Sequence, residues 1–303
     1  MNNGYKMKRK KLEWKLFFIA LPFMVAVFLL SYVPILGWII GFYEYRPGIS
    51  LANSNFIGFK YFIAIFRDKA ILNSLKNTLI YSAWGYVLAP LPMLFAVCLN
   101  EISHTKYRKL VQTATTIPHF ISWVIVYSLV FALFSSEGVV NKVLMGAGLI
   151  ETPMLPLENP DIVYGFQTFL SKWKELGWGA IIYIAAIAGI EQEQYEAARI
   201  DGAGRFQMAK YITIPNLMPT FVTMLIMNVA NLISTGTDRY LTFKNPIIYD
   251  KLEVIDLYVY RMGIEIGDYS YATAAGILKS FISISLLFLA NQTAKKIRGN
   301  GIM

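Results

Sequence analysis

Little in this chain can make or break a covalent bond. Its 303 residues include two histidines, His104 and His119, and one cysteine, Cys98. No internal disulfide can form, and no metal cluster or nucleophile–base constellation is evident. There is no Gly-x-x-x-x-Gly-Lys-Ser/Thr loop to cradle a phosphate. The residues left with chemical work are polar side chains in apolar surroundings, and their chemistry is recognition. Asn228, Asn231 and Thr235 recur at i, i+3 and i+7, which places them on one helical face with Ser234 nearby. Asparagine is costly toward lipid, so these residues face either a neighbouring helix or a polar cavity. Lys279 lies about ten residues into an otherwise uncharged run. It reads either as a contact for an acidic group or as a side chain snorkelling to the outer interface. Tyr127, Trp173 and Tyr183 offer rings for stacking, or serve as interfacial belt and packing. His119, beside Pro118, is expected to bond a backbone group near the inner face, and Cys98 is expected to be packed.

The elements that position these residues belong to a membrane protein. The chain is 56% hydrophobic and 16% charged, with a mean hydropathy of +0.47, against about 25% charged in soluble domains. Its length would allow two soluble domains. The long uncharged runs argue instead for one all-helical polytopic membrane domain over 1–303. The net charge of +9 does not signal nucleic-acid binding, because Lys and Arg cluster beside apolar runs, where they set orientation. A bilayer core about 30 Å thick needs about 20 helical residues. Six spans are expected, at 16–43, 77–100, 112–136, 162–190, 219–237 and 270–292. The first is too long for a signal-peptide core. The fourth includes Lys172, Lys174 and Glu175, expected at a helix end or facing a wet cavity. The fifth is expected to start near Pro219, since Pro215 and Pro219 limit the helix before it.

Six spans put both termini on one side. Lys6, Lys8, Arg9, Lys10, Lys11 and Lys15 before the first span favour the cytoplasm. So do Lys106, Arg108 and Lys109 in a short loop, and Lys295, Lys296 and Arg298 after the last span. The loops 44–74, 137–161 and 238–268 are long enough for short helices and for an external partner. The aromatic row Phe56, Phe59, Tyr61, Phe62 and Phe66 is expected to form an amphipathic helix lying on the outer membrane surface.

Between the fourth and fifth spans lies a charged insert, 191–218. Glu191 to Gln194 suit a helix start. Tyr195 to Asp201 continue the helix, Gly202 allows a turn, and Ala203 to Ile212 can form a second short helix. Two helices about a glycine elbow make a rigid knob. Ala197 and Ala198 let another backbone approach closely, and Glu196 can pair with a basic partner residue.

The spacing is specific: Glu196-Ala197-Ala198, three residues, Gly202, nine residues, then Ile212-Thr213-Ile214-Pro215. It resembles the EAA motif of permease subunits of bacterial ABC importers, with Ile214 in place of Leu. Other segments resemble the maltose-permease-related group that carries oligo- and polysaccharides. They include Tyr32-Val33-Pro34, Phe56-Ile57-Gly58-Phe59, Trp173-Lys174-Glu175-Leu176-Gly177-Trp178-Gly179 and Tyr269-Ser270-Tyr271-Ala272-Thr273-Ala274. Gly236-Thr237-Asp238-Arg239-Tyr240 departs from that pattern, which weakens any transfer of substrate contacts from this turn. The resemblance implies a type I ABC importer transmembrane domain for an oligosaccharide or complex glycan, in the bacterial cytoplasmic membrane. It implies that Glu196, Ala197, Ala198, Asp201, Gly202, Ala203, Ile212 and Pro215 form the coupling element seated in a cytoplasmic ATPase. It further implies a second homologous permease subunit, two ATPase subunits and an extracytoplasmic sugar-binding lipoprotein, with ATP and magnesium held by the ATPases. The chain itself then needs no cofactor or metal and is not an enzyme. An ion-coupled secondary transporter is the alternative, but the clear spans lack the Asp or Glu such proteins use.

Overall fold

The computed structural model describes the backbone of residues 4–298 and the side chains of residues 14–229 and 231–292. The side chains of the terminal basic clusters, from Lys6 to Lys11 and from Lys295 to Arg298, lie outside the described residues. Every regular element among the described residues is helical, and the only extended pairing is an isolated bridge between Tyr43 and Phe56. Five helical stretches are long and apolar enough to cross a bilayer. A sixth is counted when Val163–Ala188 is joined with Gln192–Ile200, which is bent from it by 72°. Contacts within the chain group it into two compact units.

The first unit comprises residues 1–67 and 261–278. Its leading helix, Gly4–Val27, passes through a π turn, Phe28–Tyr32, into a 3-10 stretch, Val33–Phe42. Pro34 supplies no amide to an α ladder, so the hydrogen-bond register changes around it. No residue of the apolar window within Trp14–Phe42 is buried in this chain, so that surface requires lipid or another polypeptide. Gly41 lies against the backbone of Ala274, and the Tyr45 amide donates to Ser270 Oγ at 3.0 Å. The expected amphipathic aromatic helix is only Lys60–Ile65. It buries Phe62 and Ile65 and leaves Phe56, Phe59 and Phe66 exposed.

The second unit comprises residues 68–260 and 279–303. The helix Lys69–Val87 starts where the Asp68 carboxylate accepts from the Ala70 amide at 2.8 Å. It begins ahead of the span expected at 77–100 and stops at Val87, and beyond Pro90 the helix Leu91–Asn100 continues with Pro92 in its first turn. The span expected at 112–136 is broken. Thr105–Phe120 ends at Ile121, whose backbone is extended, and Ser122 caps a new helix, Trp123–Phe134. Cys98 is exposed on this chain rather than packed, because Leu91–Asn100 turns Ala96, Val97 and Leu99 inward instead. The central helix Val163–Ala188 packs on both Leu91–Asn100 and Thr105–Phe120. A buried amide beside it is fully matched. Asn77 donates to the carbonyls of Asp250 and Glu253 at 2.7 and 2.9 Å and accepts from the Tyr164 hydroxyl at 2.6 Å.

The largest departure from expectation concerns the fifth span. The helix does not start at Pro219. It runs from Arg205–Met208 through a π turn, Ala209–Thr213, into Ile214–Ala230. The π turn lets the Ile214 amide reach the Ala209 carbonyl, and Pro215 falls in the next turn, where its missing amide is tolerated. The Asn216 side chain satisfies the Ile212 carbonyl at 2.8 Å. At its other end this helix stops at Ala230, not near residue 237.

Gly177 is placed where Val163–Ala188 crosses Thr115, and an added Cβ would collide with the Thr115 carbonyl. Inside a helix, Gly→Ala ordinarily stabilises by about 1 kcal/mol. Here the sign reverses: Gly177→Ala is expected to cost about 1–3 kcal/mol by overpacking. Gly165→Ala, in open space on the same helix, should hold or raise stability. Thermal unfolding of the detergent-solubilised variants checks both signs.

Candidate functional site

Two regions concentrate the residues singled out in the sequence. The first is the insert. Its helix spans Gln192–Ile200, with Asp201 as the C-terminal residue, and Gly202 follows at φ 80°. That left-handed conformation costs other residues roughly 1 kcal/mol or more, which accounts for glycine at the elbow. The second arm is not a separate helix over residues 203–212. It is the first part of the helix that continues to Ala230. The two arms are tied by a buried hydrogen bond between the Tyr195 hydroxyl and Thr213 Oγ1 at 2.9 Å, and by Asn216 donating to Gln194 at 3.1 Å. Arg205 reaches Ser103 at 3.3 Å.

The motif residues are turned outward. Glu196, Ala197, Asp201, Gly202 and Pro215 are exposed, while Ala198, Ala203 and Ile212 are half-buried. Beside them stand three large apolar side chains that the motif does not name: Ile200, Phe206 and Tyr211, at 87%, 81% and 67% exposure. Large apolar residues within a charged insert were the sequence signal for them.

The second region is a cavity of about 640 Å³ inside the second unit. Helix Lys69–Val87 contributes Tyr81, Ser82 and Tyr86, and helix Val163–Ala188 contributes Thr168, Lys172, Glu175 and Tyr183. The helix ending at Ala230 contributes Met224 and Asn228. Asn231, Ser234, Thr235 and Arg239 complete the wall from the chain that follows. Asn228, Asn231 and Thr235 therefore do come together, though not as one helical face, because Asn231 is the C-cap just past that helix and Thr235 lies beyond it. The freed backbone finds new partners. Ser82 Oγ donates to the Leu232 carbonyl at 2.5 Å, and the Gly236 amide donates to the Asp256 carboxylate at 2.9 Å.

The remaining candidates separate. Tyr183 lines the cavity, whereas Tyr127 and Trp173 do not. Tyr127 packs edge-on against Phe243 at 5.3 Å. Lys279 does not reach the cavity or snorkel outward. It forms an ion pair with Asp256, both side chains being mostly buried. His119 lines the cavity with its ring stacked on Trp178 at 4.5 Å. Its own backbone carbonyl accepts from Lys174 Nζ at 2.5 Å, so the expected bond runs the other way. Lys172 and Glu175 face the cavity as a pair, 4.0 Å apart. The sequence reading missed Tyr81, Tyr86, Arg239 and Tyr240 as wall residues.

Apolar helices long enough to cross a bilayer, with an exposed two-armed insert and a polar cavity in the second unit, suit a membrane permease. The family described as "binding-protein-dependent transport system inner membrane component" matches residues 89–299, and the chain belongs to that family. It is 36% identical over 295 residues to Protein LplB of Bacillus subtilis (strain 168), covering 97% of this chain and 92% of that protein. It is 35% identical over 305 residues to the polygalacturonan/rhamnogalacturonan transport system permease protein YteP of the same organism, covering 98% and 94%. Among solved structures it is similar to a chain of a bacterial ABC transporter involved in import of the acidic polysaccharide alginate. That match has 33% identity and a TM-score of 0.85, covering 97% of this chain and 99% of that one. In a complex of the bacterial alginate transporter with its alginate pentasaccharide-bound periplasmic protein, the TM-score is 0.87. The protein is thus a multi-pass membrane permease of the ABC-importer type.

The Lys279–Asp256 pair yields a stability test. Lys279→Met strands a buried carboxylate and is expected to cost about 3–5 kcal/mol. Adding Asp256→Asn, which keeps an acceptor for the Gly236 amide, should recover much of that loss. Thermal unfolding of the single and double variants reads the coupling. Additive losses would show that the two side chains do not support each other.

Proposed function

We propose that this chain is the permease subunit of an importer that carries oligosaccharides or fragments of complex glycans into the cytoplasm. In this reading the insert 191–218 is cytoplasmic and docks on a separate ATPase, and both termini lie on the same side. A second homologous permease subunit, two ATPase subunits and an extracytoplasmic sugar-binding protein complete the complex. ATP and magnesium belong to the ATPases, and this chain performs no catalysis.

One observation carries the reading. A single helical path runs from the exposed insert to the cavity, from Arg205 through the π turn to Ala230. Phe206 and Tyr211 stand exposed near one end, and Met224 and Asn228 line the cavity near the other. At 1.5 Å per residue this path is roughly 39 Å long. A push on the insert is transmitted to the cavity wall without an intervening loop, which is the hinge-and-lever arrangement that alternating access needs. The Tyr195–Thr213 bond makes both arms of the insert move together. The similarity to YteP and to the alginate transporter supports the saccharide cargo. The cavity also suits it: asparagine amides and hydroxyls offer donors and acceptors to sugar hydroxyls, and Tyr81, Tyr86 and Tyr183 present ring surface. The ion-coupled alternative lacks a free titratable carboxylate in the cavity, because Glu175 is the one acidic lining residue and is paired with Lys172.

Glu196→Arg and Gly202→Trp are expected to leave membrane insertion intact and to cut ATP-dependent oligosaccharide uptake by the reconstituted complex at least about tenfold, equivalent to ~1.4 kcal/mol of coupling. Undiminished uptake by both variants, or ion-driven uptake by the purified chain alone, would overturn the reading.

A further inference from the structure

Three charged residues line the cavity, Lys172, Glu175 and Arg239, and they leave a net charge of +1. Lys172 and Glu175 answer each other at 4.0 Å, and Glu175 also accepts from Ser171 at 3.2 Å. Arg239 has no such answer. Its guanidinium donates to the Gln167 carbonyl at 3.3 Å and to the Tyr240 hydroxyl, while its Nε has no partner. Its plane is caged by aromatic faces, Tyr240 at 4.4 Å and Tyr81 and Trp123 each at 5.7 Å. No carboxylate among the described residues pairs with it.

The nearby acids are accounted for. Asp256 is held by Lys279 and the Gly236 amide. Asp238, the adjacent residue, is turned to the exposed side. Tyr240 does not neutralise the guanidinium either, because burial pushes its phenol above the ordinary value and keeps it uncharged. A second cation stands close by. Lys174 is buried, lies over the same Trp123 ring at 5.5 Å, and has a carbonyl rather than a carboxylate as its partner. A cation held partly out of water favours a nearby counter-charge, and the planar donor fork of a guanidinium matches a carboxylate, as it does a phosphate.

We propose that Arg239 is the specificity-determining residue of the cavity and that the charge it awaits is the carboxylate of the cargo, making the substrate class acidic, uronate-bearing oligosaccharides. This rests on the importer reading above and narrows it. The aromatic cage fixes the guanidinium and keeps it from folding toward distant acids. The Gln167 carbonyl ties it to helix Val163–Ala188, so the cation keeps its place in the wall as a sugar passes. A neutral oligosaccharide meets the same hydroxyl and amide partners but leaves the cation uncompensated. Selectivity then arises from an unmet charge on the protein side, which is a stronger discriminator than one additional apolar contact.

The test uses the complete complex in proteoliposomes with ATP. It is offered a pool of tri- to penta-oligouronides containing galacturonate, mannuronate and guluronate, together with the same chains after reduction of their carboxyl groups to primary alcohols. Accumulated sugars are identified by mass spectrometry. The wild-type complex is expected to accumulate at least one oligouronide at least about tenfold over its reduced counterpart, and Arg239→Gln to lower that ratio by a similar factor, or ~1.4 kcal/mol. Arg239→Lys keeps the charge without the fork and should fall between. If Arg239→Gln does not assemble, the Arg239→Lys ratio decides on the same scale, and an unchanged ratio overturns the assignment. Accumulation of reduced chains alone overturns the assignment while leaving the importer reading standing. Accumulation of neither class likewise overturns the assignment, and the importer reading is then decided by the uptake test given for it above.

Discussion

A polypeptide that leaves its helical path inside a membrane protein must find a new partner for every amide and carbonyl it frees, from the protein or from the cavity it lines, because acyl chains supply none. The segment 231–237 sets this requirement for the whole cavity. Its helix stops at Ala230, and the chain then runs free along the wall. Ser82 from a distant helix takes up the Leu232 carbonyl, and Asp256 takes up the Gly236 amide. Asp256 is in turn tolerable only because Lys279 neutralises it. One interruption of backbone pairing thus ties together helix Lys69–Val87, the short helix Ile255–Tyr260 and the final helix. In exchange, Asn231, Ser234 and Thr235 are brought to the wall from a stretch too short and too irregular to present them on a helix, and Arg239 follows them in the first turn of the short helix Asp238–Phe243.

The helix crossings that hold this arrangement rest on small residues. Gly177 allows the carbonyl of Thr115 to sit where a side chain would be, and Gly179 gives the Pro92 ring a close but looser approach, 3.3 Å from where a Cβ would stand. Tight crossings keep Val163–Ala188 fixed against its neighbours. The helix from Arg205 to Ala230 makes fewer contacts of this kind and carries a π turn, a local change of register that suits a joint. Rigidity and compliance are therefore distributed unequally around the cavity.

Much of the insert was legible in the sequence, because its signals are local: an elbow glycine, two alanines side by side, and charge set between apolar runs. Gly202 does adopt a positive φ. What failed there was the reading of Pro215 and Pro219 as a boundary, since nothing in the local pattern announces the π turn that carries the helix past them. The cavity was only partly legible. Asn228, Asn231 and Thr235 were found through a helical periodicity that the fold does not use, since the polarity of the residues was informative and their spacing was not. Lys279 was rightly marked as an isolated charge, but its partner lies in an acidic loop that reads as solvated surface. Tyr81 and Tyr86 went unnoticed, and Arg239 was read only as part of an atypical turn, because these residues come from segments far apart in the chain and only packing makes them neighbours.

Cys98 has a practical consequence. It is the only thiol in the chain and stands exposed near the end of helix Leu91–Asn100, beside residues that are packed. The native protein therefore carries a unique attachment point for a maleimide dye or a nitroxide spin label, with no cysteine to remove beforehand. An environment-sensitive probe placed there reports whether this face meets acyl chains, solvent or a companion polypeptide. Its signal followed through a nucleotide cycle would show when that neighbour changes.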